Sequence, residues 1–505
     1  MKRILPLLSL LLLLMGSARA QERVTTGYDT AARFSPAQLR QDFELFRRSL
    51  EGAHPGLYRY TTKTRFDSLF GGAALRLDSA MTEREFLYGV LKPLVVDIRD
   101  QHTVIRASDR YENERNRNGV FLPLEFRYTG GDLYLYRNYS RDSALPIGAR
   151  IISINGMPTR RMIETLLPSI NADGTNLTAK YHELGGYFYG LYHNIIARPD
   201  SFRVEMLNRT TGRKSIVTIA ALPLRTIGEI RAGRYGAADQ IPIAALRPLE
   251  MRIDGSIAIL TIRTFDDQII EFTGNRFSLF IDSAFTAIRD LSVRDVVIDL
   301  RDNHGGSSFN GPLLYSYLTD KPFPWLERLE VARATRLPEL RYDSSAFYPG
   351  FPEASVADSA GRLVWKNFPL LDLQQPSTAS FNGRVYVLID GGTQSAAAHF
   401  AAMVKGRQRG EFIGEEAGGA YRGGAAGFYA LGKLPNTGIR LRIPLVKSTL
   451  AISGRFTGGV LPDHPIAPTI DDIIAGRDPV MAYTLDLVLQ RRKADPPADD
   501  FHIEH

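Results

Sequence analysis

The sequence predicts an α/β protein, and this prediction rests on its carboxyl-terminal half. From about residue 251 to 489, short apolar runs of strand length alternate with longer runs of helical spacing. Such alternation is typical of layered βα units. The predicted strands are 257–262, 296–300, 385–389 and 439–446, and the predicted helices are 277–291, 311–318 and 395–404. We assign residues 248–489 to this α/β domain.

A helical module is predicted at residues 21–103. Ser35 precedes Pro36, and a serine N-cap before a proline at the first helical position is a typical helix start. Thr82 and Glu85 have the spacing of a capping box, and apolar residues at 86, 87, 90, 91 and 94 follow at helical spacing.

Residues 118–224 have a hydrophobic period of two, which indicates β-strands. Residues 148–156 (GARIISING) form a strand that enters an Asn-Gly turn before a short helix at about 162–167. That order resembles a PDZ domain, with residues 171–201 as an insertion. The resemblance implies that a substrate C-terminus adds as a strand. Because residues 119–122 (GVFL) lack the second glycine of the usual carboxylate loop, binding of an internal peptide segment or gating of the cleft remain open alternatives.

The two ends of the chain carry their own signals. Residues 1–20 have a basic start, an apolar centre and a small-x-small end (ARA), which predicts a signal peptide and an exported protein, periplasmic or extracellular. Its apolar run is too short to span a bilayer comfortably, and no later segment approaches the length that a membrane helix needs.

Residues 490–505 are charged and contain two adjacent prolines, so we predict a mobile tail.

Composition excludes several classes of site. The chain has no cysteine, which removes disulfides, thiolate nucleophiles and thiolate metal ligands. The net charge is +7, and removing Lys2, Arg3 and Arg19 with the signal peptide leaves +7 − 3 = +4. So small a charge on a large chain does not indicate nucleic-acid binding.

Ser395 is the first candidate for chemistry. Residues 390–398 (DGGTQSAAA) follow a strand and open a helix, so Ser395 is predicted at the helix N-terminus. Free N–H groups and the helix dipole stabilise developing negative charge there. A serine in this setting also caps helices without any catalytic role, and that alternative stays open on this segment alone.

A second segment has the features of an oxyanion loop. Residues 296–306 (VVIDLRDNHGG) are an apolar strand that runs into an asparagine and the pair Gly305 and Gly306. Adjacent glycines let the backbone approach a ligand and turn N–H groups outward. An ordinary strand-to-helix turn is the alternative.

Four short blocks together resemble the signature of the tail-specific, or C-terminal processing, serine proteases. The blocks are 299–306 (DLRDNHGG), 391–397 (GGTQSAA), 413–419 (IGEEAGG) and 459–463 (GVLPD), and their order and spacing agree with that family. The resemblance implies a ClpP/crotonase-like core of ββα units, hydrolysis of peptide bonds, and neither metal nor cofactor. It also implies that Ser395 is the nucleophile and that N–H groups of Ala396 and of Gly305 or Gly306 form the oxyanion hole.

This chain lacks the general base that is found in the best-known branch of that family. Members of that branch place a lysine about 25 residues after the serine, where this chain has Ala420. Arg422 is a poor substitute because a guanidinium does not lose its proton near neutrality. Residues 100–103 (DQHT) resemble instead the histidine segment of the branch that includes the tricorn core and the retinoid-binding repeat proteins. This resemblance implies that His102 is the base, and imidazole suits the task.

The residue that orients His102 is left open by the sequence. The tricorn-type arrangement places a carboxylate near residues 459–463, where this chain has Phe456 and Thr457. Glu416 is the candidate orienting acid, with Glu415 and Asp100 as alternatives. His399, one helical turn after Ser395, is a competing base or a packing residue.

Two functions are compatible with these observations. The first is an exported serine endopeptidase that acts on polypeptides through Ser395 and His102, with no nucleic-acid partner and no integral membrane segment. The second is a catalytically silent protein of the same fold that binds an apolar ligand or a peptide. Retention of the serine and the glycine loop favours the enzyme, whereas the absent lysine and the missing orienting acid favour the binder.

Overall fold

The computed structural model describes residues 28–236, 247–331, 339–342, 355–454 and 456–494. The predicted signal peptide lies outside these residues, as do positions 495–505 of the predicted tail. The described start of that tail, from residue 490, continues a helix that ends at Ala494. Within the described ranges, no helix has both the length and the apolar character needed to cross a bilayer.

The amino-terminal region is mainly helical, as predicted. Its elements are β1 Arg33–Phe34, α1 Pro36–Ala53, α2 Lys63–Ala74, β2 Met81–Thr82, α3 Glu83–Phe86, a π-helical turn Leu87–Leu91, α4 Lys92–Asp97, β3 Val104–Arg106 and α5 Asp109–Asn118. Both predicted N-caps are confirmed, since Ser35 with Gln38 and Thr82 with Glu85 form capping boxes. The sequence therefore determines these two helix starts locally.

The next region is a sheet with helices packed on it. Its strands are β4 Val120–Phe121, β5 Leu124–Thr129, β6 Asp132–Asn138, β7 Arg150–Ile154, β8 Met157–Pro158, β9 Ser201–Leu207, β10 Lys214–Ala220 and β11 Leu222–Pro223. Its helices are α6 Thr159–Leu166, a 3-10 turn Leu167–Ser169, α7 Thr178–Leu191, a π-helical turn Tyr192–Ile196 and α8 Leu224–Tyr235. The main sheet is antiparallel in the order β10-β9-β7-β6-β5.

Helix α7 lies against the outer edge of that sheet. Strand β5 is an edge strand of this sheet. A Cβ built on Gly185 of α7 would lie 3.5 Å from the carbonyl oxygen of Phe126 and 3.8 Å from the backbone nitrogen of Tyr128. The helix thus occupies the side of β5 where an added peptide strand would pair.

The carboxyl-terminal region alternates strands and helices. Its strands are β12 Leu249–Asp254, β13 Ile257–Ile262, β14 Asp295–Asp299, β15 Phe323–Pro324, β16 Leu326–Val331, β17 Leu340–Tyr342, β18 Ser355–Ala357, β19 Leu363–Trp365, β20 Leu373–Gln374, β21 Arg384–Ile389, β22 Glu411–Gly414, β23 Tyr429–Lys433, β24 Arg440–Pro444, β25 Val446–Leu450 and β26 His464–Pro465. Its helices are α9 Asp267–Phe272, α10 Phe277–Asp290, α11 Asn310–Ser316, a 3-10 turn Pro369–Leu371, α12 Ser395–Gly406, α13 Ile470–Ala475 and α14 Pro479–Ala494.

One predicted strand, 439–446, is in fact parts of two strands. β24 pairs with β23, whereas β25 pairs with β16 in a different sheet. Between them the backbone N–H of Leu445 bonds to the carbonyl of Phe428 at 2.7 Å. The pattern of residues 439–446 (IRLRIPLV) indicates extended backbone but does not show which sheet each part joins.

The central sheet brings the two glycine-rich segments together. Its order is β12-β13-β14-β21-β22-β26, and β13, β14, β21, β22 and β26 are parallel. Because β14 and β21 are parallel neighbours, the loops that follow Asp299 and Ile389 leave the sheet at the same edge. Ligand sites of open α/β sheets form at such an edge.

Strand β3 attaches the amino-terminal region to the carboxyl-terminal one. Leu441 of β24 pairs with Ile105 of β3, three residues after His102. The two regions also share one hydrophobic cluster, whereas the sheet region has a cluster of its own. His102 is therefore held on the α/β region by both backbone pairing and apolar packing.

The observed fold is mixed helix and sheet, as the sequence predicts. The finer assignments, a ClpP/crotonase-like core and a PDZ-like inserted domain, remain predictions.

Candidate active site

Ser395 lies at the first position of α12, directly after the loop that follows β21. Its φ is +50°, a left-handed value that is uncommon outside glycine. The loop is fixed from the neighbouring β14 loop, because Thr393 donates its Oγ1–H to the carbonyl of Leu300 at 2.9 Å and Gln394 donates its N–H to that of Asn303 at 2.9 Å. Strained backbone that its surroundings hold in place is common at functional sites.

His102 and Ser395 are in hydrogen-bond contact. The Nε2 atom of His102 lies 3.1 Å from the Oγ atom of Ser395, across 293 positions of sequence. This distance is within the range expected of a nucleophile and its base. When the serine hydroxyl donates to Nε2, the ring proton of the neutral imidazole is on Nδ1.

The backbone that carries His102 is held by Asp100. Its Oδ1 atom accepts the N–H of His102 at 2.9 Å, the N–H of Thr103 at 2.8 Å and the hydroxyl of Thr103 at 2.9 Å. The Thr103 hydroxyl also lies 2.8 Å from Nε2 of His54, whose Nδ1 accepts the N–H of Gly56. Burial lowers the pKa of His54, so this ring is neutral and donates from Nε2 to Thr103.

No acceptor for Nδ1 of His102 exists among the described residues, although the atom is buried. The carboxylate of Glu416, the candidate orienting acid, accepts the backbone N–H of Gly459 at 2.7 Å. Asp100 holds the backbone around His102, not the ring. Burial and the charge of Asp390 raise the pKa of Glu415. The structure therefore brings Ser395 and His102 together but leaves the ring without a bonded carboxylate.

The candidate oxyanion donors differ in their availability. Gly305 donates its N–H to Oδ1 of the buried Asn303 at 2.9 Å. The carbonyl of Gly305 and the N–H of Ser307 both bond to Phe265, so the peptide groups of Gly306 point the opposite way. Among the described contacts, the N–H groups of Gly306 and Ala396 bond to no protein acceptor.

Gly305 is required sterically next to the nucleophile. Its φ is +92°, and a Cβ on it would lie 2.7 Å from the Cβ of Ser395 and 2.9 Å from the nitrogen of Ala396. Only glycine fits such a close approach at such a φ.

His399 lies near the site but does not replace His102. Burial, followed by electrostatic interactions with His102 and Arg59, lowers the pKa of His399 to about 4. Its ring forms no hydrogen bond with Ser395 in the part of the chain that the structure describes. His304 is exposed, and its ring lies 5.7 Å from that of His182.

Two groups of side chains bring potential metal ligands together. Atoms of Asp100, His102 and Asp173 lie within 4.8 Å of one another, and so do atoms of His182, Asp302 and Asp390. In the first group the carboxylates already accept backbone N–H groups. In the second, burial and the charge of Asp302 raise the pKa of Asp390.

Asp173 is a residue that sequence reasoning missed. Its carboxylate accepts the N–H of Gln101 at 2.9 Å and that of Ala420 at 3.1 Å, and it is only 4% exposed. It belongs to the segment interpreted as an insertion in the sheet region. No motif marks it, because its partners are backbone groups from two distant segments.

Residues 256–466 match the family model of peptidase family S41. This segment is similar to peptidase family S41. Ser395, the two glycines of the oxyanion loop and Glu416 lie inside the matched segment, whereas His102 and Asp173 lie before it. The matched segment therefore contains the candidate nucleophile, and the candidate base lies outside it.

Solved structures extend the likeness to nearly the whole chain. The crystal structure of mature CPAF superposes with a TM-score of 0.63 at 16% identity, covering 91% of this chain and 98% of CPAF. Mature CPAF complexed with lactacystin has a TM-score of 0.63 at 16% identity, covering 90% of this chain and 98% of that one. The tricorn protease is also matched, at a TM-score of 0.36 and 15% identity over 90% of this chain and 37% of tricorn. None of the curated proteins matches this chain significantly.

Proposed function

We propose that this protein is an exported serine endopeptidase that cleaves polypeptides through an acyl-enzyme on Ser395, with His102 as general base. The single observation that carries the proposal is the 3.1 Å contact between Oγ of Ser395 and Nε2 of His102. The position of the usual lysine is the buried Ala420, which favours a Ser–His pair over a Ser–Lys pair.

The proposed reaction has two halves. Ser395 transfers its hydroxyl proton to Nε2 of His102 while Oγ attacks the peptide carbonyl carbon. The oxyanion accepts the N–H groups of Gly306 and Ala396, which are free of protein acceptors in the described structure. His102 then gives its proton to the departing amine nitrogen, which leaves an ester on Ser395. A water molecule loses a proton to His102 while its oxygen attacks the ester carbonyl carbon. His102 then returns this proton to Oγ of Ser395 as the ester bond breaks, which releases the carboxylic acid product and restores both residues.

We also propose three domains for this chain. Residues 21–103 form the helical module, residues 118–224 the PDZ-like domain, and residues 248–489 the ClpP/crotonase-like core. The separate hydrophobic cluster of the second region supports treating it as a domain. Because α7 lies against the edge of β5, gating of the cleft is a better role for this domain than addition of a substrate strand at β5.

A ligand-binding protein of the same fold is the second candidate function. The buried Nδ1 of His102, which has no acceptor among the described residues, favours it, because the base of a serine hydrolase normally has an acceptor that holds its ring.

Labelling with a fluorophosphonate probe separates the two. Folded wild type is expected to react covalently at one site, identified as Ser395 by peptide mass spectrometry. Ser395→Ala is expected not to react, and His102→Ala to react at least about 100-fold more slowly. Folded wild type that stays unlabelled would rule out the enzyme and leave the binding protein.

A further inference from the structure

We propose that Asp173 is a positioning residue for His102. Nδ1 of His102 has no acceptor among the described residues, and Asp173 fixes the position of His102 instead. The inference rests on the proposed Ser395–His102 mechanism and adds a residue to it. Among the described hydrogen bonds, none joins Asp173 to Ser395 or to the ring of His102. Asp173 acts through the backbone that carries His102 and, at longer range, through its negative charge.

The first support is the pair of loops that Asp173 joins. Oδ1 accepts the N–H of Gln101, the residue before His102, at 2.9 Å. Oδ2 accepts the N–H of Ala420 at 3.1 Å. Ala420 follows Gly419, where a Cβ would lie 3.1 Å from the nitrogen of Ser395. One carboxylate therefore fixes the loop of the base relative to the loop around the nucleophile.

The second support is that three successive backbone N–H groups donate to carboxylates. Asp173 takes the N–H of Gln101, and Asp100 takes those of His102 and Thr103. Three consecutive peptide groups are thereby directed into two buried carboxylates. Hydrogen bonds to charged acceptors are about twice as strong as neutral ones. They therefore hold the orientation of the peptide groups on both sides of His102.

The segment around Asp173 is itself anchored to the α/β region. Gly174 donates its N–H to the carbonyl of Arg99 at 2.9 Å, and Thr175 donates to that of Thr457 at 2.9 Å. Asn176 donates its Nδ2–H to the carbonyl of Ala417 at 2.7 Å. Residues 173–176 thus connect the His102 loop with two loops of the S41 segment, and Asp173 is the charged member of that connection.

The negative charges of Asp100 and Asp173 also support the proposed role of His102. Carboxylate oxygens of Asp100 and Asp173 lie within 4.8 Å of each other and of a ring nitrogen of His102. When His102 takes the proton of Ser395 it becomes positive, and two buried negative charges at that distance stabilise it. The pair therefore favours the charge that exists only after proton transfer.

The test uses Asp173→Asn and Asp173→Glu in the full mature chain. The asparagine keeps one acceptor for Gln101 but loses the charge and presents an NH₂ group to one of the two N–H donors. The glutamate keeps the charge and moves it. Asp42→Asn is the matched control, because buried Asp42 also accepts two backbone N–H groups, of Asn436 and Thr437, and joins the amino-terminal region to the carboxyl-terminal one.

Each variant is compared with wild type for thermal unfolding, fluorophosphonate labelling rate, and kcat and KM on an unstructured polypeptide such as casein. We expect both Asp173 variants to lower kcat and the labelling rate by up to about 100-fold with KM within about threefold of wild type, because a small misplacement of a catalytic group has that effect. Asp42→Asn is expected to lose thermal stability without a change in kcat.

Three outcomes are informative. Asp173 variants that label and turn over like wild type would overturn the inference while leaving the proposed function intact. A loss of kcat in Asp42→Asn as large as in Asp173→Asn would also overturn it, since the effect would then be general loosening. If Asp173→Asn does not fold, the folded Asp173→Glu decides by the same rates. Wild type without labelling is a failure of the proposed function, not of this inference alone.

Discussion

Nε2 of His102 lies 3.1 Å from Oγ of Ser395, although 293 residues separate them in sequence. The contact depends on β3, which follows His102 and pairs with β24 of the α/β region. Strand β3 therefore holds the candidate base next to the candidate nucleophile.

His102 and Ser395 are expected to behave as one unit in kinetics. Ser395→Ala and His102→Ala should each lower kcat by at least about 10³-fold, and the double variant should be no worse than Ser395→Ala alone. Steady-state hydrolysis of casein measures all three. Losses that multiply in the double variant would mean that His102 acts independently of the serine.

Thr103 is expected to support the His102 loop through its hydroxyl. In Thr103→Val, Asp100 loses a donor and Nε2 of His54 loses its acceptor. Unsatisfied buried groups cost about 1–3 kcal/mol each, so the free energy of unfolding should fall and the labelling rate should fall with it. Thr103→Ser keeps the hydroxyl and serves as control. Equal labelling of the valine and serine variants would contradict this role.

Gly305→Ala is expected to abolish labelling because its new Cβ would lie 2.7 Å from the Cβ of Ser395. The control is Gly427→Ala, which has a similar φ of +99° and no atom within 4 Å of its Cβ position. Both variants carry backbone strain of about 1–3 kcal/mol, measured by chemical denaturation. Only the collision at Gly305 should remove reactivity, and an active Gly305→Ala would show that the loop can move away from the serine.

Buried histidines are expected to make stability depend on pH. Burial is the main cause that lowers the pKa of His54, that of His193 to about 3 and that of His399 to about 4. As pH falls below about 6.5, the unfolded chain binds protons that the folded chain does not, so stability is lost towards acid pH.

Each such proton contributes a slope of about 1.4 kcal/mol per pH unit. The measurement is the free energy of unfolding by denaturant at several values of pH from 7 to 4. His193→Phe should reduce the slope relative to wild type, and an unchanged slope would mean that His193 is protonated in the folded protein.

Local patterns determined much of the fold. Ser35 and Thr82 cap helices where the sequence predicts, because capping depends on residues within three positions. The predicted helix and strand around Ser395 were placed within a few residues, since β21 and α12 have strong periodicity. Residues 439–446 (IRLRIPLV) were interpreted as one strand, because periodicity does not report which sheet a strand joins.

The sequence by itself determined the family resemblance, the nucleophile candidate and the histidine that meets it. Only the tertiary structure decided that Gly305 has its N–H bonded to Asn303, that Nδ1 of His102 finds no acceptor within the described ranges and that Asp173 bridges two loops. The physical reason is that motifs record side-chain chemistry within short segments. The direction of a backbone N–H group in a loop is set by contacts among segments far apart in the chain, and no single segment encodes it.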